Sequence, residues 1–313
     1  MDRQKKDLFV QDRLSLEYIT AELEKAGILL KTEIKECVTS TNELLRTYGD
    51  EGEAQDMLLL AEHQIGGRGR KGRSFFSPEG TGLYMSLLLH PKVPAGEVHM
   101  LTPLAAAAVA KALERFTDAD VQIKWVNDIL IRDRKTVGIL TETSGTLTDG
   151  CFDYVIVGIG MNVYEPAAGF PEDIRESAGA VFGAGDLEER TKTGELSHQD
   201  EGAGITEEEL HNEKLRSKIA AEVALQFMEL YRAFPAKQYL EEYRSRSCLI
   251  GKEVKVIPTE QMMGSVEEAE KQTNGKAIYA KVLEVDDACR LLVQYEDGRR
   301  ELLSSGEVSI RER

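Results

Sequence analysis

The sequence predicts an α+β chain: a mixed sheet with flanking helices, followed by a small β-barrel. Three observations predict this. Up to Gly251, apolar runs of strand length interleave with stretches of helical periodicity. After Gly251 the pattern changes to short alternating strands. The 313 residues, 42% of them hydrophobic, suffice for one large domain with a core and one small one. The expected division is 1–249 and 250–313.

The elements follow in order. Leu14, Tyr18, Ile19 and Leu23 form the apolar stripe of a helix over 13–27, which stops at Gly27. One helix is too little for a helix-turn-helix DNA reader. Strands are expected at 57–61 and 82–90, and an alanine-rich helix at 100–116. Short strands then follow at 121–126, 129–132, 137–142 and 154–159. From about 172 to 215 the chain turns polar and acidic, which reads as a mobile insertion running into a helix near 206. The helix beginning at Leu215 ends before Pro235, and a second helical piece covers 237–244. KEVKVI, AIYAKVLEV, RLLVQYE and ELLSSGEVSI read as the strands of the terminal barrel, with Asp297-Gly298 as a hairpin turn.

Composition narrows the function classes. A net charge of -16 opposes nucleic acids and anionic membranes. Cys37, Cys151, Cys248 and Cys289 show no CxxC and no metal-ligand spacing, as in reduced thiols of a cytoplasmic protein. The start carries no apolar stretch of signal-peptide type, and no run approaches the about 18 apolar residues of a membrane span.

Against this acidic background Gly66-Gly67-Arg68-Gly69-Arg70-Lys71-Gly72-Arg73 stands out. Glycine lets backbone approach a ligand closely and frees amide N–H groups to point at it. Arginine offers a planar fork of donors for phosphate or carboxylate. The string suits a loop that closes over an anionic small molecule. An RNA-binding Arg-Gly segment and a plain solvated loop are the alternatives. The spacing is not that of a Walker loop.

Extended upstream through Gln64-Ile65, the string resembles the biotin-binding loop of the biotin–protein ligases. Three further segments stand in that family's order. Thr39-Ser40-Thr41-Asn42-Glu43 reads as a helix start, with Ser40 and Glu43 as a capping box. Lys124-Trp125-Val126-Asn127-Asp128, with Lys135 downstream, resembles the family's Lys-Trp-Pro-Asn-Asp segment, and Val126 stands where proline is usual. Gly158-Ile159-Gly160-Met161-Asn162 reads as a strand ending in a glycine turn.

The resemblance implies a catalytic domain of the type shared with class II aminoacyl-tRNA synthetases and a C-terminal SH3-like barrel. It implies a ligase-only member without an N-terminal DNA-binding repressor domain. It also implies that biotin is activated with ATP and magnesium and passed to a lysine of a biotin carboxyl carrier domain, as in acetyl-CoA carboxylase. Ser40, Thr41, Asn42 and Gly138 would line the biotin site. Lys135 would contact the biotin carboxylate and the activated phosphate. Gly160 would pack against adenine or ribose, and Asn162 would lie near the phosphates and their magnesium, with no dedicated protein metal site. Ligand contact extends by the same resemblance to Gln64, Gly67, Arg68, Gly69, Arg70, Lys124 and Asn127. Two anions must meet, so Arg68, Arg70 and Lys135 are the expected cations of the transition state. Asp128 is the candidate to orient or deprotonate the acceptor amine. The loop 66–73 is expected to be mobile when empty and ordered over the adenylate. A lipoate–protein ligase is the rival using the same chemistry, and an exposed sheet leaves a homodimer open.

Overall fold

A computed structural model describes residues 12–183, 214–257, 278–304 and 307–310. Helix α1 (Leu16–Lys25) starts where the Ser15 hydroxyl accepts from Tyr18 N, inside the predicted 13–27. Strand β1 (Lys31–Val38) and helix α2 (Thr41–Asp50) follow. Next come β2 (Met57–Gln64), β3 (Gly82–Leu89) and helix α3 (Leu101–Leu113). The strands β4 (Val121–Lys124), β5 (Asp128–Ile131), β6 (Arg134–Thr143), β7 (Leu147–Thr148), β8 (Cys151–Phe152) and β9 (Val155–Asn162) come in succession. Helices α4 (Leu215–Arg232) and α5 (Tyr239–Ser245) precede the terminal strands. These are β10 (Glu253–Ile257), β11 (Ile278–Val285), β12 (Leu291–Tyr295), β13 (Arg300–Leu303) and β14 (Glu307–Ile310).

The main sheet runs β1-β2-β3-β9-β6-β5-β4. Only the β1–β2 pair is parallel, so the sheet is mixed as predicted. The central strands β2, β3 and β9 are nearly continuous apolar runs, and such runs require cover on both faces. Helices α1, α3 and α4 bury one face in the principal core. Helix α2 covers the other, with Leu45 packed on Met57, Leu59, Leu88 and Ile156.

Strand β1 was not expected from the pattern. Its sequence KTEIKECV lies at the sheet edge, where exposed charged side chains break the apolar signal. The predicted insertion is ordered at its start. Ala178 pairs beside Lys135 and Phe182 beside Tyr164, so 177–182 forms a strap along the sheet. The remainder, 184–213, including the helix expected near 206, lies outside the described residues.

The terminal strands form a five-stranded antiparallel sheet, β13-β12-β11-β10-β14. Gly298, at φ 85°, makes the β12–β13 turn. This sheet shares the principal core and is tied to the main one by Trp125 Nε1, which donates to Cys289 O at 2.8 Å.

A buried charge cluster fixes the start of the described chain. Arg216, 1% exposed, donates to Glu62 at 2.7 Å, to Gly82 O at 3.1 Å and to Asp12 O. Tyr164 donates to Asp12 at 2.6 Å. Burial pushes the Asp12 carboxyl up, against the lowering effect of the Tyr164 hydroxyl and Arg216. Breaking such a cluster leaves an uncompensated buried carboxylate. Arg216→Ala should therefore lose about 3–5 kcal/mol of stability, read as a lower urea midpoint.

Candidate active site

The cavity floor follows from register. Directly paired residues of a sheet point to the same face. Gly138 pairs with Gly160, and Asp128 pairs with Gly138. In the next row Gly158 lies between Leu140 and Ser86. Three glycines therefore leave a bare strip in the middle of the main sheet, on the face that α2 covers. The space is taken up at once. A Cβ on Gly158 would stand 2.1 Å from Asn42 Oδ1, and one on Gly160 2.8 Å from the Phe75 ring. Above the strip lies a cavity of about 270 Å³, near the lower end of ligand pockets.

One end of the cavity is a neutral polar network. Gln64 Oε1 accepts from Thr41 N at 2.8 Å and from Thr41 Oγ1 at 3.2 Å. Gln64 Nε2 donates to Ser77 Oγ at 3.1 Å. The fully buried Ser86 hydroxyl lies 2.7 Å from Thr41 Oγ1 and 2.6 Å from Asn42 Oδ1. Asn42 Nδ2 donates to Glu142 at 2.8 Å and to Leu140 O at 3.3 Å. The capping box expected at Ser40 does not form. Ser40 occupies the N-cap position without a capping bond, and Gln64 serves the first amide of α2 instead. Ser40 lines the cavity.

The other end is cationic. The glycine-arginine string folds as a small hairpin, with Arg68 paired to Ser74 and Phe75 N donating to Gly67 O at 2.8 Å. Its turn runs from Arg70 to Arg73, with Lys71 and Gly72 at left-handed φ of 56° and 73°. A primed hairpin turn needs both centres there, and Gly72 supplies one at no steric cost. Arg68, Gly69, Arg70, Lys71 and Arg73 all line the cavity. Arg70 Nη1 donates to Asn127 Oδ1 at 2.9 Å, which ties the hairpin to the opposite wall. Asn127 is clipped to β6 through both its side chain and its backbone at Ile139. Lys124, Asp128, Lys135, Gly138 and Gly160 complete this end. The Trp125–Val126 peptide is cis.

Lys135 Nζ lies 2.7 Å from Asp128 Oδ1, so the two side chains form an ion pair at the cavity wall. Cys289, beside Trp125, has its thiol pushed up to about 12 by burial, and burial likewise raises Cys248 to about 11. Both stay protonated spectators at neutral pH.

Two predicted contacts fall elsewhere. Asn162 is buried and donates to Gly179 O at 2.9 Å, so it fastens the strap that holds the Lys135 backbone and does not line the cavity. Gly67 lies below the hairpin, where a Cβ would stand 2.5 Å from Phe75 O and from Ser77 Oγ. Ser86, Phe75 and Glu142 were missed. The lone serine in the apolar run GLYMSLLLH and the lone acid following GILT are the available signals.

Residues 34–162 match the model of the biotin/lipoate A/B protein ligase family, and residues 271–311 match the biotin protein ligase C-terminal domain. This match places residues 34–162 in the biotin/lipoate A/B protein ligase family. Among its relatives is the bifunctional ligase/repressor BirA of Bacillus spizizenii, 37% identical over 156 residues, 48% of this chain and 47% of that protein. The chain thus spans about half the length of the first curated relatives it matches. The biotin–[acetyl-CoA-carboxylase] ligase of Mycobacterium tuberculosis is 25% identical over 275 residues, 86% of this chain and 85% of that one. The structure of the biotin protein ligase from Aquifex aeolicus in complex with biotin and ATP superposes with a TM-score of 0.63 at 26% identity, over 91% of this chain and 100% of that one. The mixed sheet and the small antiparallel sheet are therefore the ligase catalytic fold and its C-terminal domain.

In this ligase fold the bare strip tolerates little. Gly158→Ala should cost about 1–3 kcal/mol, because Asn42 is bonded on both sides and cannot yield. Gly138→Ala should cost less, since its nearest neighbour is the end of the Lys135 side chain at 3.3 Å. Denaturant unfolding of the two variants checks the order.

Proposed function

We propose that the chain condenses biotin with ATP to biotinyl-5′-AMP and transfers the acyl group to a lysine of a biotin carboxyl carrier domain. One observation carries the reading: a neutral polar end and a cationic end share one small cavity. Ser40, Thr41 and Gln64 offer donors and acceptors matched to a ureido ring, which is polar and uncharged. Arg68, Arg70, Lys124 and Lys135 line the cavity and supply the positive charge that a meeting of carboxylate and α-phosphate requires. The named activity of the Mycobacterium relative and the biotin and ATP of the Aquifex complex support the same assignment.

The chemistry divides between these groups. A carboxylate oxygen attacks the α-phosphorus, pyrophosphate leaves, and the added negative charge falls to Arg68, Arg70 and Lys135. The mixed anhydride hydrolyses readily, and the hairpin tied to Asn127 by Arg70 is placed to shield it from water. In the second step a lysine amine attacks the acyl carbon and AMP leaves. A free lysine has a pKa near 10.4, so its deprotonation at pH 7 costs about 4.6 kcal/mol. The Asp128 carboxylate, which lines the cavity, is the acceptor assigned to orient this amine and take its proton.

Magnesium fits as an ion carried by the phosphates of ATP. Among the described residues no group of three His, Cys, Asp or Glu side chains is placed to hold a metal, and a phosphate-bound magnesium that keeps its waters requires none. No helix among the described residues is long and apolar enough to cross a membrane.

Biotin-dependent exchange of labelled pyrophosphate into ATP tests the reading, and its absence, or equal exchange with lipoate, overturns it. Lys135→Ala should lower that exchange about 100- to 1000-fold, the scale of about 3–4 kcal/mol for one transition-state contact. Asp128→Asn should spare exchange and slow transfer from preformed adenylate. Transfer at the wild-type rate would remove Asp128 from the role.

A further inference from the structure

Glu142 is a carboxylate that the chemistry above does not use, and it contacts a cavity residue of each end, Asn42 and Arg68. It stands on β6 with its side chain 15% exposed. Its two oxygens have different duties. Oε2 accepts from Asn42 Nδ2 at 2.8 Å, and so fixes which way the Asn42 amide faces. Oε1 meets two guanidiniums: Arg46 Nη2 of α2 at 3.2 Å and Arg68 Nη2 of the hairpin at 3.6 Å. Arg46 is further held by the carbonyl of Thr143 at 3.1 Å. The Arg68 side chain is 48% exposed and stands farther from the shared oxygen.

We propose that Glu142 is a positioning residue that holds the hairpin over the empty cavity through Arg68 and releases it to an incoming anion while Arg46 keeps the carboxylate paired. The inference rests on the ligase reading for the identity of that anion. Its physical basis is the sharing of one oxygen. A buried carboxylate deprived of its only cation would carry a heavy cost, and that cost would oppose any hairpin movement. With Arg46 already in contact, Arg68 can turn to a carboxylate or phosphate and leave no unpaired charge behind. The same carboxylate also screens Arg46 from Arg68, two like charges that would otherwise push the hairpin away from α2. Asn42 shares the dependence, because its amide loses its fixed direction when Oε2 is gone.

Two substitutions in the 313-residue chain move the hairpin in opposite directions. Glu142→Gln removes the anchor, so trypsin should cut within 68–73 of the ligand-free protein about two- to fivefold faster, the range of a part-exposed ion pair. Arg46→Gln removes the competitor, so the same cut should slow by a similar factor. In Glu142→Gln the KM for biotin in pyrophosphate exchange should rise more than kcat falls, because binding must then order both the hairpin and Asn42. A loss of packing alone would raise cleavage in both variants. Equal cleavage in all three proteins, or a change of the same sign in both variants, overturns the proposal. If Glu142→Gln does not fold, Arg46→Gln decides alone, and no protection there overturns it. If the wild type shows no biotin-dependent exchange while the two cleavage shifts oppose each other, the ligase reading fails and the holding role of Glu142 stands.

Discussion

A strip of sheet without side chains is the constraint from which the cavity follows. Gly138, Gly158 and Gly160 lie on one face of two paired strands, at the centre of the main sheet. Elsewhere on that face side chains such as Leu59 and Leu88 meet helix α2. Over the strip the amide of Asn42 and the ring of Phe75 come down almost to the backbone. A methyl group at either Gly158 or Gly160 would occupy space already filled. The glycines are thus required for close approach, and the sheet floor itself forms one wall of the cavity.

Around that floor polarity is sorted by the element that supplies it. The neutral groups come from the start of α2, the end of β2 and the middle of β3, all rigid and mutually bonded. The cations come from a hairpin whose tip makes its own turn, and from Lys124 at the end of β4 and Lys135 near the start of β6. This division suits a reaction in which one partner must be recognised in a fixed pose while two anions are brought together. The recognising end needs stiffness and the condensing end needs charge that can shift. Glu142 touches both ends, through a hydrogen bond from Asn42 and an ion pair with Arg68.

Much of this was legible because its signals are local. Apolar run length marked β2 and β3, helical period marked α4, and Asp297-Gly298 marked a hairpin turn. The four motif segments named most of the residues that line the cavity. What escaped depends on partners far along the chain. Strand β1 is an edge strand whose charges hide its pairing. The first amide of α2 is served by Gln64, 23 positions away, so the capping box that Ser40 and Glu43 spell out is not used. Asn162 sits in a glycine-rich segment that resembles a phosphate contact, yet a strap from residues 177–182 claims its side chain. Ser86 and Glu142 look like isolated polar residues in strands, and only the register brings them to Asn42.

The same distance effect explains why a small second sheet matters to chemistry it does not touch. Strand β4 is the last of the main sheet, so Lys124 lies at its edge and Asp128 pairs directly with it. An edge segment has free backbone groups on its outer side and little to fix its position. Here the outer side is taken by the chain that leads into the C-terminal domain. Ile123 N donates to Arg246 O at 2.8 Å, and Cys248 N donates to Ile123 O at 3.1 Å. The Tyr243 hydroxyl donates to Val126 O at 3.2 Å, and the Trp125 indole reaches Cys289 O in the β11–β12 turn. Arg244 adds a bond to Val285 O at 2.7 Å. The segment that carries Asp128 is therefore gripped from three directions by residues more than a hundred positions downstream. Its sole tryptophan is partly a wall of the cavity and partly the bolt that fastens the wall to the domain behind it.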